Sequence, residues 1–378
     1  MPTINFTLGA YSELFMLLAA GTYVVAFLAF AWDMATSGKV AQRDAALLAG
    51  QKAVVTQAET AAKRPALAGV GSAAGGGAGG GTGGGASDGA AGGAPSSSVK
   101  GAGSPNGGVA PVEVADADLK YRSRRKAARV GVSLSILGLV IHAAGVVTRG
   151  IAAGRVPWGN MYEFCTTGAL LVVAVFLLVL IRRDLRFLGT FVLGLAVVMM
   201  VAAAVAFYIP VGHLVPALQS YWLVIHVSIA VMSSALFTLT FSMAVLQLIQ
   251  SRREAKIAAG GLDTGGFMRL VPGSMTLEAL SYRINTIAFV GWTLTVMFGA
   301  IWAEKAWGRF WGWDTKEVWS FVIWVVYAAY LHARATRGWT GARAAWLSIV
   351  GYLCVLFNFT IVNVYFSGLH SYGGVSAG

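Results

Sequence analysis

The sequence predicts an all-α polytopic membrane protein. It has about eight transmembrane helices, both termini extracytoplasmic, and a long flexible Gly-rich cytoplasmic loop after helix 1. Three observations carry this. The chain is 57% hydrophobic and only 12% charged, with mean hydropathy +0.68, outside the range of a soluble domain. Its apolar runs approach the ~20 residues that a helix needs to cross a bilayer. With the N-terminus outside, 23 of the 28 Lys and Arg fall in inner segments, the asymmetry that fixes membrane orientation. Without the 33–126 loop and Arg129 the count is still 11 against 5. The same asymmetry accounts for the net charge of +12 without nucleic acid.

The first run, Tyr11 to Trp32, is too long for the apolar part of a signal peptide, and no Lys or Arg precedes it. It reads as a retained first helix, giving a first segment of residues 1–32. Residues 33–126 form a polar loop. Its middle, 66–118, is mostly Gly, Ala and Ser, too poor in apolar side chains to offset the entropy of ordering, and so a flexible tether. Residues 38–64 are Ala-rich with mixed charge and suit a short helix. Seven further spans follow in a core of 127–378, at about 127–148, 162–181, 187–208, 220–249, 284–303, 318–333 and 344–366. The span at 318–333 is short and suits a start inside the preceding loop. Eight spans return the chain to its starting side. Cys165 and Cys354 lie far apart inside apolar runs with no Cys-x-x-Cys pair, which suits reduced packing residues and no redox role.

One stretch stands apart. Residues 307–319, within a loop region of 304–319, hold four tryptophans (Trp307, Trp311, Trp313 and Trp319), Phe310, two acids and two bases. Lying between apolar runs, the stretch belongs at the extracytoplasmic surface. A belt of interfacial Trp is the ordinary reading for one such residue. Four, interleaved with charge and with two glycines that admit close backbone approach, favour a surface that covers a flat, apolar, partly charged ring.

Two histidines reach the same level. His226 lies about five residues into its helix, ~8 Å below the outer surface at 1.5 Å per residue, and His370 lies just beyond the last span. Neutral imidazoles from opposite faces can ligate a haem iron, an economical use for an uncharged His inside a bilayer. His332 lies near the inner end of its helix, ~21 Å away. It serves either as a second, inner haem site or as an interfacial residue beside Arg334, and the residues alone favour the second. His142 reads as an interhelical hydrogen-bonding residue and His213 as a loop residue.

The pattern Trp307-Gly308-x-Phe310-Trp311-x-Trp313-Asp314-x-Lys316-Glu317-x-Trp319 resembles the tryptophan-rich "WWD" signature of haem-handling proteins. In detail it resembles the CcsA/ResC family (CcsB in actinobacteria) of System II cytochrome c-type biogenesis. That family usually has Pro where Thr315 stands and Thr where Val318 stands. Trp158 to Glu163, preceded by Arg149, resembles its Asn-Met-Tyr-Glu loop. Ser220 to His226 is similar to its Ser-Tyr-Trp-Leu-x-x-His motif, and Gly368 to Tyr372 to its Gly-Leu-His-Ser-Tyr terminus. The resemblance covers about 127–378.

The resemblance implies a multi-pass protein of the bacterial plasma membrane. It would move haem b outward and, with a ResB/Ccs1-type membrane subunit, present it for covalent attachment to the Cys-x-x-Cys-His segment of apocytochrome c. This makes it a subunit of a haem lyase with no catalytic residues of its own. His226 and His370 would be the axial ligands, and His332 the histidine on the inner haem route. Trp307, Trp311, Trp313 and Trp319 would clasp the ring, and Asp314 would orient an indole or a backbone amide. Arg309, Lys316 and Arg149 stand as equal candidates for the propionates. Two other functions fit the same residues: a haem transporter with no part in ligation, and a structural subunit whose aromatic loop docks a partner. An unrelated transporter would show internal repeats and paired helix breaks, and neither is evident.

Overall fold

The computed structural model describes residues 4–63, 126–214, 216–263, 265–336, 338–366 and 368–370. The chain divides into two units, one of residues 1–42 with 125–378 and one of residues 43–124. In the second unit only the helical backbone up to Lys63 is described, so the predicted tether at 66–118 lies outside the described residues.

Nine α-helices are present among the described residues: α1 (Phe6–Lys63), α2 (Lys126–Ala153), α3 (Met161–Arg182), α4 (Gly189–Ala206), α5 (Tyr221–Ala258), α6 (Ser274–Trp307), α7 (Thr315–Thr336), α8 (Ala342–Phe359) and α9 (Ile361–Tyr365). Eight segments are long and apolar enough to cross a membrane, α8 and α9 together making the eighth. The protein is therefore all-α and polytopic, and the eight predicted spans each find their helix.

Helices α5 and α6 overrun their expected spans, to Ala258 and back to Ser274, and two further boundary differences bear on the site. Helix α1 does not stop near Trp32 but continues through the predicted short helix to Lys63. Residues 33–63 are Ala-rich and contain no proline, so nothing breaks the backbone until Pro65 restricts the residue before it. The thirteen-residue aromatic stretch is not one loop. Its first residue ends α6, residues 308–314 form the turn, and α7 begins at Thr315, where the sequence suggested an early start.

Two apolar cores join the helices of the first unit. One, with Tyr23, Phe30, Phe176 and Leu193, lies among α1 to α5 and the start of α6. The other, with Phe237, Trp292, Tyr327 and Tyr352, lies among α5 to α8, where the Phe237 and Tyr327 rings stack at 3.7 Å. Polar ties supply what apolar contact cannot provide between helices in lipid. Thr240 donates to Asn285 Oδ1 at 2.6 Å, and Asn285 Nδ2 donates to Ser348 at 3.1 Å, linking α5, α6 and α8. Far from the aromatic stretch, the buried Glu278 accepts from Gln247 at 3.1 Å, from the Gly341 amide at 2.8 Å and from Arg334. His142 is fully buried in α2 and meets the Tyr23 hydroxyl at 3.3 Å, the interhelical role expected of it. His213 is exposed in the segment after α4. Both cysteines are free.

Candidate functional site

The turn between α6 and α7 is built by its own spacing. Gly308 closes α6 in the left-handed region at φ 71°, its amide bonding Glu304 O, a conformation that favours glycine. Five residues on, Trp313 adopts φ 60°, the only non-glycine at positive φ among the described residues, and such backbone costs of order 1–3 kcal/mol. Glu317, three residues after Asp314, reaches back so that its Oε2 accepts from the Asp314 amide at 3.0 Å and the Gly312 amide at 2.8 Å. This is half of a capping box. The Asp314 side chain accepts from the Lys316 amide of the same turn and otherwise turns to the C-terminal segment. Its Oδ2 accepts from His370 Nδ1 at 2.7 Å, and its Oδ1 accepts from the Leu369 amide at 3.1 Å. The hydrogen bond from His370 holds the Asp314 carboxyl below the usual carboxylate range, with partial burial opposing.

His226 is anchored in the same manner from another helix. Its Nδ1 donates to Thr295 O of α6 at 2.9 Å. Gly299, one turn further along α6, lies against the ring: a Cβ there would stand 2.8 Å from His226 Cε1. Each imidazole thus has Nδ1 committed to an acceptor, which fixes the tautomer and leaves the Nε2 lone pair available. Trp302 joins the two rings. It lies nearly parallel to His226, at 6.0 Å and 8°, and edge-on to His370 at 5.5 Å.

Both histidines line one cavity with about 1120 Å³ of empty space, open solvent at its mouth included. Trp158, Trp292, Trp302 and Trp311 give its walls their aromatic character. Three polar atoms on its lining are buried without a partner: Trp158 Nε1, Glu317 Oε1 and Asn358 Oδ1. The opposite wall is carried by the α2–α3 turn. Asn160 caps α3 by accepting from the Glu163 amide at 2.9 Å. The buried Glu163 carboxylate takes Arg149 Nε at 2.9 Å, Arg155 Nη1 at 2.7 Å and the Gly159 amide at 2.8 Å, which holds the backbone beside Trp158 in place.

The expected site residues therefore divide. His226, His370 and Trp311 come together at the cavity, with Lys316 beside them. Trp307 stands behind His370, edge-on at 4.8 Å. Trp319 packs on Phe357 at 4.2 Å, and Trp313 is 74% exposed, edge-on to Trp311. None of these three lines the cavity. Asp314 orients an imidazole and a backbone amide, where an indole or an amide was expected. Arg149 is fully buried, bonded to Glu163 and Ile209 O, and does not line the cavity. His332 is exposed on α7, away from the cavity. Sequence reasoning missed Trp158, Trp292 and Trp302 as walls. The positions 292, 295, 299 and 302 recur at helical spacing, and that period on α6 was the available signal.

Comparison with known proteins adds an independent finding. The sequence profile of the family described as Cytochrome C assembly protein matches residues 158–370. The chain is 35% identical over 260 residues to "Cytochrome c biogenesis protein CcsA" of Prochlorococcus marinus, covering 62% of this chain and 81% of that protein. It is 31% identical over 294 residues to the protein of the same name from Gloeobacter violaceus, covering 65% and 87%. For that of Guillardia theta the identity is 34% over 264 residues, covering 65% and 85%.

Proposed function

Because this chain belongs to the Cytochrome C assembly protein family and is of its CcsA kind, and so serves cytochrome c biogenesis, we propose that its cavity presents haem b, bound between His226 and His370, for attachment to apocytochrome c. The carrying observation is the pair of imidazoles from distant parts of the chain, each with Nδ1 tied down and Nε2 free, lining one aromatic cavity. The donor set suits haem iron: two neutral imidazoles with oriented rings, in a chamber walled by flat apolar side chains.

Haem is cargo here, and the reactive groups are its vinyls and the thiols of the acceptor. This chain holds the iron, excludes water and sets the ring's position. The acceptor's own histidine replaces His226 or His370 on the iron. Each Cys S–H then adds across one vinyl, sulfur to one carbon and hydrogen to the other, with no net change in oxidation state. In this reading the turn at 308–314 faces the extracytoplasmic side of the plasma membrane, both termini share that side, and a ResB/Ccs1-type subunit completes a System II haem lyase. His332 lies on an exposed face of α7 and serves as an earlier stop for haem on its way from the inner side.

The test is the visible spectrum of purified protein, oxidised and reduced, for wild type and the double variant His226→Ala/His370→Ala. A low-spin bis-imidazole spectrum lost in the variant supports the reading. The same spectrum retained in the variant overturns it.

A further inference from the structure

We infer that Lys316 receives a carboxylate of the cargo, so that the cavity selects a porphyrin bearing free acid groups rather than any flat apolar ring. This rests on the haem-presenting role proposed above. Lys316 is the second residue of α7 and lines the cavity with His226 and His370. Its Nζ donates to Asn363 Oδ1 and lies 5.5 Å from the centre of the Phe359 ring. Both partners are neutral, and among the described residues no carboxylate lies within the 4.0 Å ion-pair distance.

The acids nearby are committed elsewhere. Asp314 takes His370 Nδ1 and the Leu369 and Lys316 amides, and Glu317 Oε2 takes two backbone amides. Glu317 Oε1 lines the same cavity without a partner, so it favours a hydrogen-bond donor and repels an anion at its own position. Lys316 is thus the one place on this lining where an anion gains a charge. An ammonium whose hydrogen-bond and ring partners are neutral, with the Asp314 charge reaching it only from beyond ion-pair distance, carries a desolvation cost that an entering anion offsets.

The other two candidates for this role fall away. Arg149 is sealed beneath Tyr162 with Glu163 as its counter-ion. The Arg309 guanidinium folds over Gly312, into the space an added Cβ would take, and it does not line the cavity. The two carboxylates of haem share one edge of the ring. Anchoring that edge at Lys316 decides which way the porphyrin enters and leaves the vinyl-bearing side for the incoming thiols.

The experiment compares iron mesoporphyrin, a dicarboxylic acid without vinyls, with its dimethyl ester. Each is titrated into purified full-length protein in detergent and read from the low-spin Soret band. Wild type should bind the diacid about tenfold more tightly, a difference of ~1.4 kcal/mol. Lys316→Met should lose that preference by weakening the diacid alone, and Lys316→Arg should keep it. Asn363→Asp supplies Lys316 with an internal carboxylate and should also lose the preference, which gives a second route if Lys316→Met does not fold. A wild type without preference, or a preference kept in Lys316→Met or in Asn363→Asp, overturns the inference. If neither porphyrin gives a bis-imidazole spectrum in wild type, the haem-presenting role itself fails, an outcome distinct from loss of preference.

Discussion

Asp314 and His370 are 56 residues apart in sequence and meet at 2.7 Å, Oδ2 to Nδ1. The contact brings the last described residues of the chain to the start of α7 and makes Asp314, expected to orient an indole or a backbone amide, the orienting partner of an imidazole. A carboxylate on Nδ1 raises the basicity of Nε2 and fixes the ring's direction, and loss of such partners typically costs 10–100-fold in metal affinity. Asp314→Asn should therefore weaken haem binding by about tenfold or more and raise the midpoint potential, since a less basic imidazole favours ferric iron less. Equilibrium titration and redox potentiometry check both.

The same contact has a defined pH dependence. The Asp314 carboxyl is held below the usual range, so its contribution is fully present above the unfolded value of ~3.9 and is lost as pH falls through the lower folded value. Neutral and mildly acidic solutions should leave the tie intact. Trp307 lies edge-on to His370, so release of the tie as pH falls through that lowered value should change tryptophan fluorescence. A wild type whose acid response matches that of Asp314→Asn would show that the tie contributes nothing.

Much of this site was legible in the sequence, and the omissions share a cause. His226, His370 and Trp311, which line the cavity, stand out in the sequence because each sits in a dense local motif at a helix end. Trp302 and Trp292 were not, because a single Trp inside an apolar run is indistinguishable from packing until a neighbouring helix is placed against it. The roles of Trp307, Trp313 and Trp319 were read too uniformly. Residues adjacent in sequence at a helix–turn–helix corner point in different directions, and the left-handed backbone of Trp313 separates its indole from the cavity. The eight spans were legible because length and hydropathy alone decide them. The end of α1 was not, because Ala-rich polar sequence sustains a helix without any apolar period.

Gly299 tests the placement of His226. An added Cβ would stand 2.8 Å from His226 Cε1 and 3.0 Å from Nδ1, so the ring must leave its bond to Thr295 O. Overpacking of this kind costs ~1–3 kcal/mol. Gly299→Ala should therefore keep the helical fold but shift the haem spectrum away from bis-imidazole coordination. Gly21→Ala, where nothing lies within 4 Å, is the matched control and should leave the spectrum unchanged.

Glu163 tests the far wall. Its side chain and that of Arg149 are fully buried, and that of Arg155 is 13% exposed. Removing the acid leaves two guanidinium groups without their counter-ion, a change worth ~3–5 kcal/mol for a buried pair. Glu163→Gln preserves shape but not charge, so the melting temperature in detergent should fall clearly and haem affinity should fall with it, because the Gly159 amide and Trp158 lose their anchor. A variant as stable as wild type would show that the paired arginines do not depend on this carboxylate.

His332 tests whether haem reaches the cavity by way of α7. Lys316 at the cavity and His332 lie on the same helix, separated by about 24 Å along its axis at 1.5 Å per residue. One porphyrin cannot touch both, so a role for His332 must precede binding at the cavity. Its side chain is exposed and shares a helix face with Phe321 and Val325, which are 46% and 43% exposed, since eleven residues bring a helix back to within ~20°. His332→Ala should lower the haem content of protein isolated from cells while leaving unchanged its affinity for haem added to the purified chain. The two measurements separate delivery from binding. If both fall together, His332 acts through the cavity's structure. If neither changes, haem reaches His226 and His370 without stopping at His332, and the imidazole is only a polar residue near the end of α7 away from the cavity.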